Sequence, residues 1–511
     1  MLKKRGAGVL LHISSMPSPY GIGVFDENTL HFIDRISEMG FTYWQVLPFN
    51  PPDASNSPYC SPSAFAGNYL FINPQGLCEM GLVTEDEVKE NCYDGSPYSA
   101  AFDFAAEKRL SLLQKAFYRI DDKIAADIKA FELKNHWLTD YAVFMAVKEL
   151  EDGKPWWQWS EQHARYFDCI KSVFDYEERA AFWKFVQYIF FLQWNEIKRY
   201  ANKKGIAVIG DMPIYVAMDS ADVWSSLNLF LIDEKSLTAK KVAGVPPDYF
   251  SENGQLWGNP LYDWEAMKKD GYGWWLSRLE HALAIYDTVR IDHFRAFASY
   301  WAIPAESETA KVGEWLDGPK MDLFNAVFEK FGKDAPIIAE DLGIFGEDVV
   351  KLLQDTGFPG MKVIQFGFDP NGDSSHLPHN ATPNSINYVG THDNNTLLGW
   401  LWEASEEERS FALDYCRFDK SKPWGEGGYY SASCRSIIET VWQSPSNVAV
   451  IALQDMCGFG ADARMNTPGV PEKNWAFRTT RETIDSIDTA YFQRINALYR
   501  RMYPVFDKKQ K

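Results

Sequence analysis

Four carboxylates, Asp211, Asp292, Glu340 and Asp393, each stand at or next to the end of a short apolar, β-branched run: AVIGDM, TVRID, PIIAED and NYVGTHD. Taken singly, each reads equally well as a helix N-cap or a surface acid. Four acids at equivalent positions are harder to assign to capping, because the ends of strands can converge on one mouth. Arg290 precedes Asp292 by two residues, so strand alternation places both on one face. A guanidinium there favours the ionised aspartate and keeps it available as a nucleophile; a purely structural Arg–Asp pair is the alternative. With Glu340 as a second carboxyl, the set suits cleavage of a glycosidic bond. That reaction needs one ionised carboxylate below the sugar ring and one protonated acid beside the leaving oxygen. Burial and the neighbouring charge of Asp292 would raise the pKa of that acid.

Other chemistries find little support. No GxGxxG follows the first run and no GxxxxGK[ST] occurs, against the two commonest nucleotide-binding arrangements. Asp369–Ser374 (DPNGDS) opens like a calcium loop, but its glycine is fourth rather than sixth and no glutamate closes it, so it reads as a turn. HExxH and GxSxG are absent, and no metal or diffusible cofactor is expected. The balance of 51 Lys and Arg against 70 Asp and Glu gives a net charge of −19, a field that repels nucleic acid and anionic lipid where no basic patch overrides it. Seven cysteines, an odd number without a CxxC pair, read as reduced thiols. The first apolar run stops at His12, too short for a signal peptide, and together these features point to the cytoplasm. Phe182–Trp194, the most apolar stretch, is broken by Lys184, Gln187 and Gln193 and falls short of the roughly 20 residues a bilayer requires, so it predicts a buried helix and no membrane span. Aromatic residues make up 15% of the chain, and their flat faces with polar edges suit sugar rings as well as ordinary cores.

Eight apolar runs recur, ending at or around His12, Pro48, Asp211, Asp292, Glu340, Phe366, Asp393 and Asp455. Helical periodicity separates several of them, at Leu30–Met39, Met321–Phe331 and Gly346–Gln354. Apolar strands alternating with helices predict an α/β protein, a (β/α)8 TIM barrel, with chemistry at the strand C-termini. Such a barrel needs about 250 residues, so half of the chain is insertion. Residues 1–49 and 206–511 are assigned to the barrel. Residues 50–205 are assigned to an inserted, mainly helical subdomain between the second and third strands, with helices over Phe104–Phe117, Leu138–Leu150 and Glu177–Ala201 and Gly205 ending the last. A second insertion, 213–286, carries GVPPDYFSENGQLWGNPLYDW (Gly244–Trp264), a loop rich in aromatics, amides and glycine that suggests a cover for a site.

These motifs resemble one family closely: the 4-α-glucanotransferases, also called amylomaltase or disproportionating enzyme, glycoside hydrolase family 77 of the α-amylase clan. The segments that carry the resemblance are HISSMPSPYGIG, SPYCSPSAFAGN, GDMPIYVAMDSADVW, the PPDYFSENGQLWGNPLYDW loop, RIDHFR, AEDLG, GTHDNNT and ARMNTPG, in family order from the first strand to near the C-terminus. The resemblance implies Asp292 as nucleophile, Glu340 as general acid/base and Asp393 as a carboxylate holding sugar hydroxyls in the transition state. It implies support from Arg290 and His392, and Asp211 as a structural or substrate contact. Ser57 and Tyr59 lie in the SPY segment, Tyr59 as a stacking platform. Phe250, Gln255, Trp257 and Asn259 lie on the arching loop, and Phe366 and Asn466 complete the expected substrate contacts.

The implied partners are α-1,4-glucans: maltodextrins, starch or glycogen. The implied reaction is a retaining double displacement that passes a glucan segment to the 4-hydroxyl of an acceptor. A hydrolysing relative of the same clan, or a catalytically silent glucan-binding protein, would share much of this pattern. Incubation with maltotriose separates them, as a ladder of products, a glucose endpoint or no change.

Overall fold

In the computed structural model, which describes residues 2–170, 176–247, 252–343, 346–470 and 473–506, the eight runs form eight parallel strands. They are β1 (Gly6–Leu10), β2 (Tyr43–Gln45), β3 (Ala207–Met212), β4 (Thr288–Ile291), β5 (Ile337–Ala339), β6 (Gly360–Val363), β7 (Ser385–Tyr388) and β8 (Val448–Ala452). The ladder runs β5-β4-β3-β2-β1-β8-β7-β6. Its two ends meet where the Ala339 amide donates to the Pro359 carbonyl at 3.0 Å, so the sheet curls into a (β/α)8 barrel. Nearly every strand residue is buried, as a parallel sheet covered on both faces requires.

Side-chain alternation decides what each strand contributes to the interior. Leu10, Ile209, Ile338, Met361, Val363, Ile386, Tyr388, Val448 and Val450 form one apolar cluster within the barrel. Their neighbours Val9, Val208, Ile337, Ala449 and Ile451 belong instead to the larger cluster beneath the helices. Arg290 lies between Val289 and Ile291 of that outer cluster and therefore points inward.

Local chemistry sets the helices. Glu27–Glu38 starts at Asp26, whose carboxylate accepts the Asn28 and Thr29 amides, and buries Thr29, Phe32, Ile33 and Ile36 at helical spacing. The predicted helices of the first insertion occur as Phe102–Phe117, Trp137–Leu150 and Glu177–Lys203, the last followed by Gly205 at φ 85°. Phe182–Trp194 lies in this last helix, which is buried on most sides. Its Trp194 indole donates to the Ile285 carbonyl at 3.1 Å and contacts Trp44 of β2 with ring centroids 6.1 Å apart. Helix Glu177–Lys203 thus serves as the crossover helix between β2 and β3. Among the described residues, no helix is long and apolar enough to cross a membrane.

One local expectation changes. The segment read as an aromatic loop carries antiparallel strand at two places: Lys241–Val245 pairs with Gln255–Pro260, and with Ser299–Pro304, which pairs in turn with Glu314–Asp317. Pairing with Ser299–Pro304, from the segment that follows β4, is not visible in residues 213–286 alone and completes the ladder.

Candidate active site

Register builds the floor of the mouth. Asp211 on β3 is paired directly with Arg290 on β4, and Ile291 is paired with Ala339, so Asp292 and Glu340 are the next residues on adjacent chains. Neighbouring strands lie about 4.8 Å apart, which brings two acids distant in sequence side by side. The Glu340 amide donates to the Ile291 carbonyl at 3.0 Å and the Asp292 amide to the Met212 carbonyl at 2.9 Å, extending the ladders past the strand ends.

Arg290 organises this floor, with each of its nitrogens committed. Nη1 contacts both Asp211 oxygens at 2.7 Å, Nη2 pairs with Asp292 Oδ1 at 2.8 Å, and Nε lies 3.3 Å from Met361 Sδ. The Tyr59 hydroxyl donates to Asp211 Oδ2 at 2.7 Å. The Asp211 side chain is 0% exposed and its oxygens are fully engaged. The Asp211–Arg290 pair is sealed beneath the cleft, the structural one of the two places left open for Asp211, and Arg290 reaches the cleft only through Asp292, whose side chain is 30% exposed.

Glu340 has both oxygens on backbone amides, His293 N at 2.7 Å and Leu342 N at 2.5 Å. His293 sits in the left-handed region at φ 52°, a conformation costing a non-glycine residue about 1–3 kcal/mol, and this turn aims its amide at Glu340. Burial, then the charge of Asp292, pushes the Glu340 carboxyl up to about 8 against the pull of Arg290 and the two amides. Burial also lifts Asp292, with Arg290 as the strongest opposing influence. Of the two, Asp292 holds the guanidinium at 2.8 Å, which favours its ionised form.

Above this floor a cleft of about 420 Å³ opens, lined by Asp292, His392 and Asp393 and by Ser57, Tyr59, Gln255, Trp257, Asn259 and Asn466. Asp393 Oδ1 accepts the Asn466 side-chain amide at 2.6 Å, and His392 Nε2 lies 3.4 Å from the same oxygen. The Tyr59 and His392 rings stack at 5.1 Å and 18°. Trp257, on the strand Gln255–Pro260, meets the His293 ring edge-on at 4.8 Å, and Asn259 donates to the Val216 carbonyl at 2.8 Å. The Phe366 ring, 37% exposed, packs edge-on against His376 at 5.6 Å. Phe250 lies outside the described residues.

The structure adds residues that the sequence reading passed over. Trp475 packs at 5.7 Å from Tyr59 and 5.9 Å from His392, from a segment with no motif of its own. Tyr215 lines the cleft from within GDMPIYVAMDSADVW, where the aromatic was visible but carried no spacing signal. Arg464, in ARMNTPG, donates to the carbonyls of Asp393 and Asn466 at 2.6 and 2.7 Å and joins the two loops. Among the described residues, no group of three or more His, Cys, Asp or Glu is placed to hold a metal ion.

Inward strand ends, a buried acid beside an arginine-paired aspartate and an aromatic-walled cleft define a (β/α)8-barrel enzyme suited to carbohydrate. The family model described as 4-alpha-glucanotransferase matches residues 11–483. The 4-alpha-glucanotransferase of Clostridium butyricum is 39% identical over 501 residues, 96% of this chain and 100% of its own. The chloroplastic/amyloplastic 4-alpha-glucanotransferase DPE1 of Arabidopsis thaliana is 40% identical, over 95% of this chain and 84% of its own. The structure of the Streptococcus agalactiae amylomaltase in complex with acarbose superposes with a TM-score of 0.92 at 37% identity, covering 98% of this chain and 100% of that one. The chain belongs to the 4-α-glucanotransferase family and is an enzyme of that activity, acting on α-glucans.

Proposed function

We propose that Asp292 attacks the anomeric carbon of an α-1,4-glucan while Glu340 protonates the departing glycosidic oxygen. Glu340, now ionised, then deprotonates the 4-hydroxyl of an incoming sugar, which displaces Asp292 and restores the acid's proton. Two inversions retain the α configuration. The carrying observation is the division of labour on the floor: one carboxyl paired with a guanidinium at 2.8 Å, its neighbour pushed up to about 8.

Asp393, 45% exposed and fixed by Asn466, is placed to accept hydrogen bonds from sugar hydroxyls. Tyr59 and Trp257 offer ring faces to the sugar chain. The sheet carrying Gln255, Trp257 and Asn259 is the cover that favours an acceptor hydroxyl over water. Linear maltodextrins and the chain ends of starch or glycogen fit a cleft of this kind. Residues 50–205 act as an inserted, mainly helical unit bracing the barrel, with its last helix, Glu177–Lys203, doubling as the crossover from β2 to β3, and the seven free cysteines favour a cytoplasmic setting.

The test is Asp292→Asn with maltotriose as sole substrate. The unmodified enzyme yields a ladder of longer and shorter maltooligosaccharides of α configuration, and the variant loses at least about 10⁴-fold in turnover. Substantial transfer by the variant, or initial release of β-anomers by the unmodified enzyme, would overturn the assignment.

A further inference from the structure

Asp341 is buried at 7% exposure beside Glu340 and takes no part in the proposed chemistry. It is not among the residues lining the cleft. It stands at the one seam of the barrel that, among the described residues, has no regular ladder, between β5 and β6. One seam contact is the Ala339 amide on the Pro359 carbonyl; another is the Met361 amide, which donates to Asp341 Oδ1. A side chain here performs the work of a strand.

The three residues facing it are matched to it. A Cβ on Gly360 would lie 2.4 Å from Asp341 Oδ2, so any larger residue there forces the carboxylate to shift. Met361 gives its amide to Asp341, and its sulfur lies 3.3 Å from Arg290 Nε. Lys362 Nζ lies 3.9 Å from Oδ2. From Asp341 two short paths lead to the catalytic pair. One runs through Met361 to Arg290 and from there to Asp292. The other is the main chain itself, since the Leu342 amide, next after Asp341, donates to Glu340 Oε1.

We propose that Asp341 is a positioning residue for the reaction: its carboxylate closes the β5–β6 seam and so fixes both Met361 beneath Arg290 and the 340–342 main chain beneath the acid. It touches no substrate and acts through its neighbours, as the outer partners of a precisely held site do. The inference rests on the assignment of Asp292 and Glu340 given above.

Asp341→Ala, Asp341→Asn and Gly360→Ala test it, with kcat and KM for maltotriose normalised to folded protein by near-UV circular dichroism and denaturation midpoint. Asp341→Ala is expected to lower kcat by about ten- to a hundredfold, the cost of a slight misplacement of reacting groups, with KM changed by less than about threefold. Asp341→Asn keeps an oxygen acceptor for the Met361 amide and so recovers most of the loss. Gly360→Ala leaves Asp341 in place but displaces its carboxylate, and reproduces the kcat defect. Unchanged kcat per folded molecule in Asp341→Ala overturns the inference, as does a defect carried by KM alone. A defect in Asp341→Asn equal to that in Asp341→Ala also overturns it, since the seam bond is then not what matters. Asp292→Asn run alongside separates the two levels: turnover surviving there breaks the mechanism, whereas its loss with full kcat in Asp341→Ala breaks only the role of Asp341.

Discussion

On one flank of the barrel mouth, Asp292 continues β4 with Arg290 of the same strand at 2.8 Å, over a buried Asp211 that accepts a second pair of contacts from the same guanidinium. On the opposite flank, beyond β7, Asp393 is held by the neutral amide of Asn466 at 2.6 Å, and Arg464 donates to its backbone carbonyl rather than to its carboxylate. The first flank fixes a charge on a side chain that is mostly buried, and fixing it takes a fully committed cation inside the barrel. The second holds an acid open to solvent with dipoles, leaving its remaining lone pairs for hydroxyl groups. The proposed mechanism assigns chemistry at the anomeric carbon to the first arrangement and recognition of the sugar to the second.

Among the residues that hold the two acids in place, replacing Arg290 by Met gives the largest expected effect, since it leaves Asp211 buried without its cation. Losing one partner of a buried pair costs about 3–5 kcal/mol, read as a lower urea midpoint, and kcat/KM is expected to fall at least about 10²–10³-fold. An Arg290→Met protein with unchanged stability would remove the contrast between the flanks.

The next effect is on pH dependence. Glu340, raised to about 8 by burial and by Asp292, stays protonated through neutral pH. As pH rises through that value the free enzyme loses its acid, so kcat/KM declines about tenfold per unit on the alkaline side. Glu340→Gln should abolish this limb along with most of the activity, while Asp393→Asn leaves the limb where it is. A limb that disappears in Asp393→Asn assigns the acid to the wrong flank.

The smallest effect is expected for Asn466→Ala. One hydrogen bond to a charged group is worth about 1.5–3 kcal/mol, and at an acid 45% exposed the low end applies, so a loss of roughly tenfold in kcat/KM follows, with the alkaline limb and the stability little changed. A loss as large as that of Arg290→Met would show that Asp393 depends on its neighbour as heavily as Asp292 does on Arg290.

Much of this was legible before folding was considered. The eight runs announced themselves because strands buried on both faces must be apolar throughout, and the acids stood out because each interrupts such a run at its end. The two-residue spacing of Arg290 and Asp292 placed both on the inward face, where they are found. Trp475 and Arg464 were not legible as parts of the site, since each acts across loops that share no local period with their partners.

The sequence by itself determined the alternation of strand and helix, the identity of the acids and the family, because periodicity, strand-end position and motif order are properties of neighbours along the chain. Tertiary structure alone decided which acids face the cleft. Asp211 and Asp292 have the same side chain at the end of adjacent strands, yet one is sealed by Arg290 and Tyr59 and the other opens to the substrate. It also turned part of an expected loop into a sheet edge bearing Trp257. The reason is physical: burial, pairing and the pKa of a carboxyl depend on what lies within a few ångströms in space, and the chain brings those groups together only on folding.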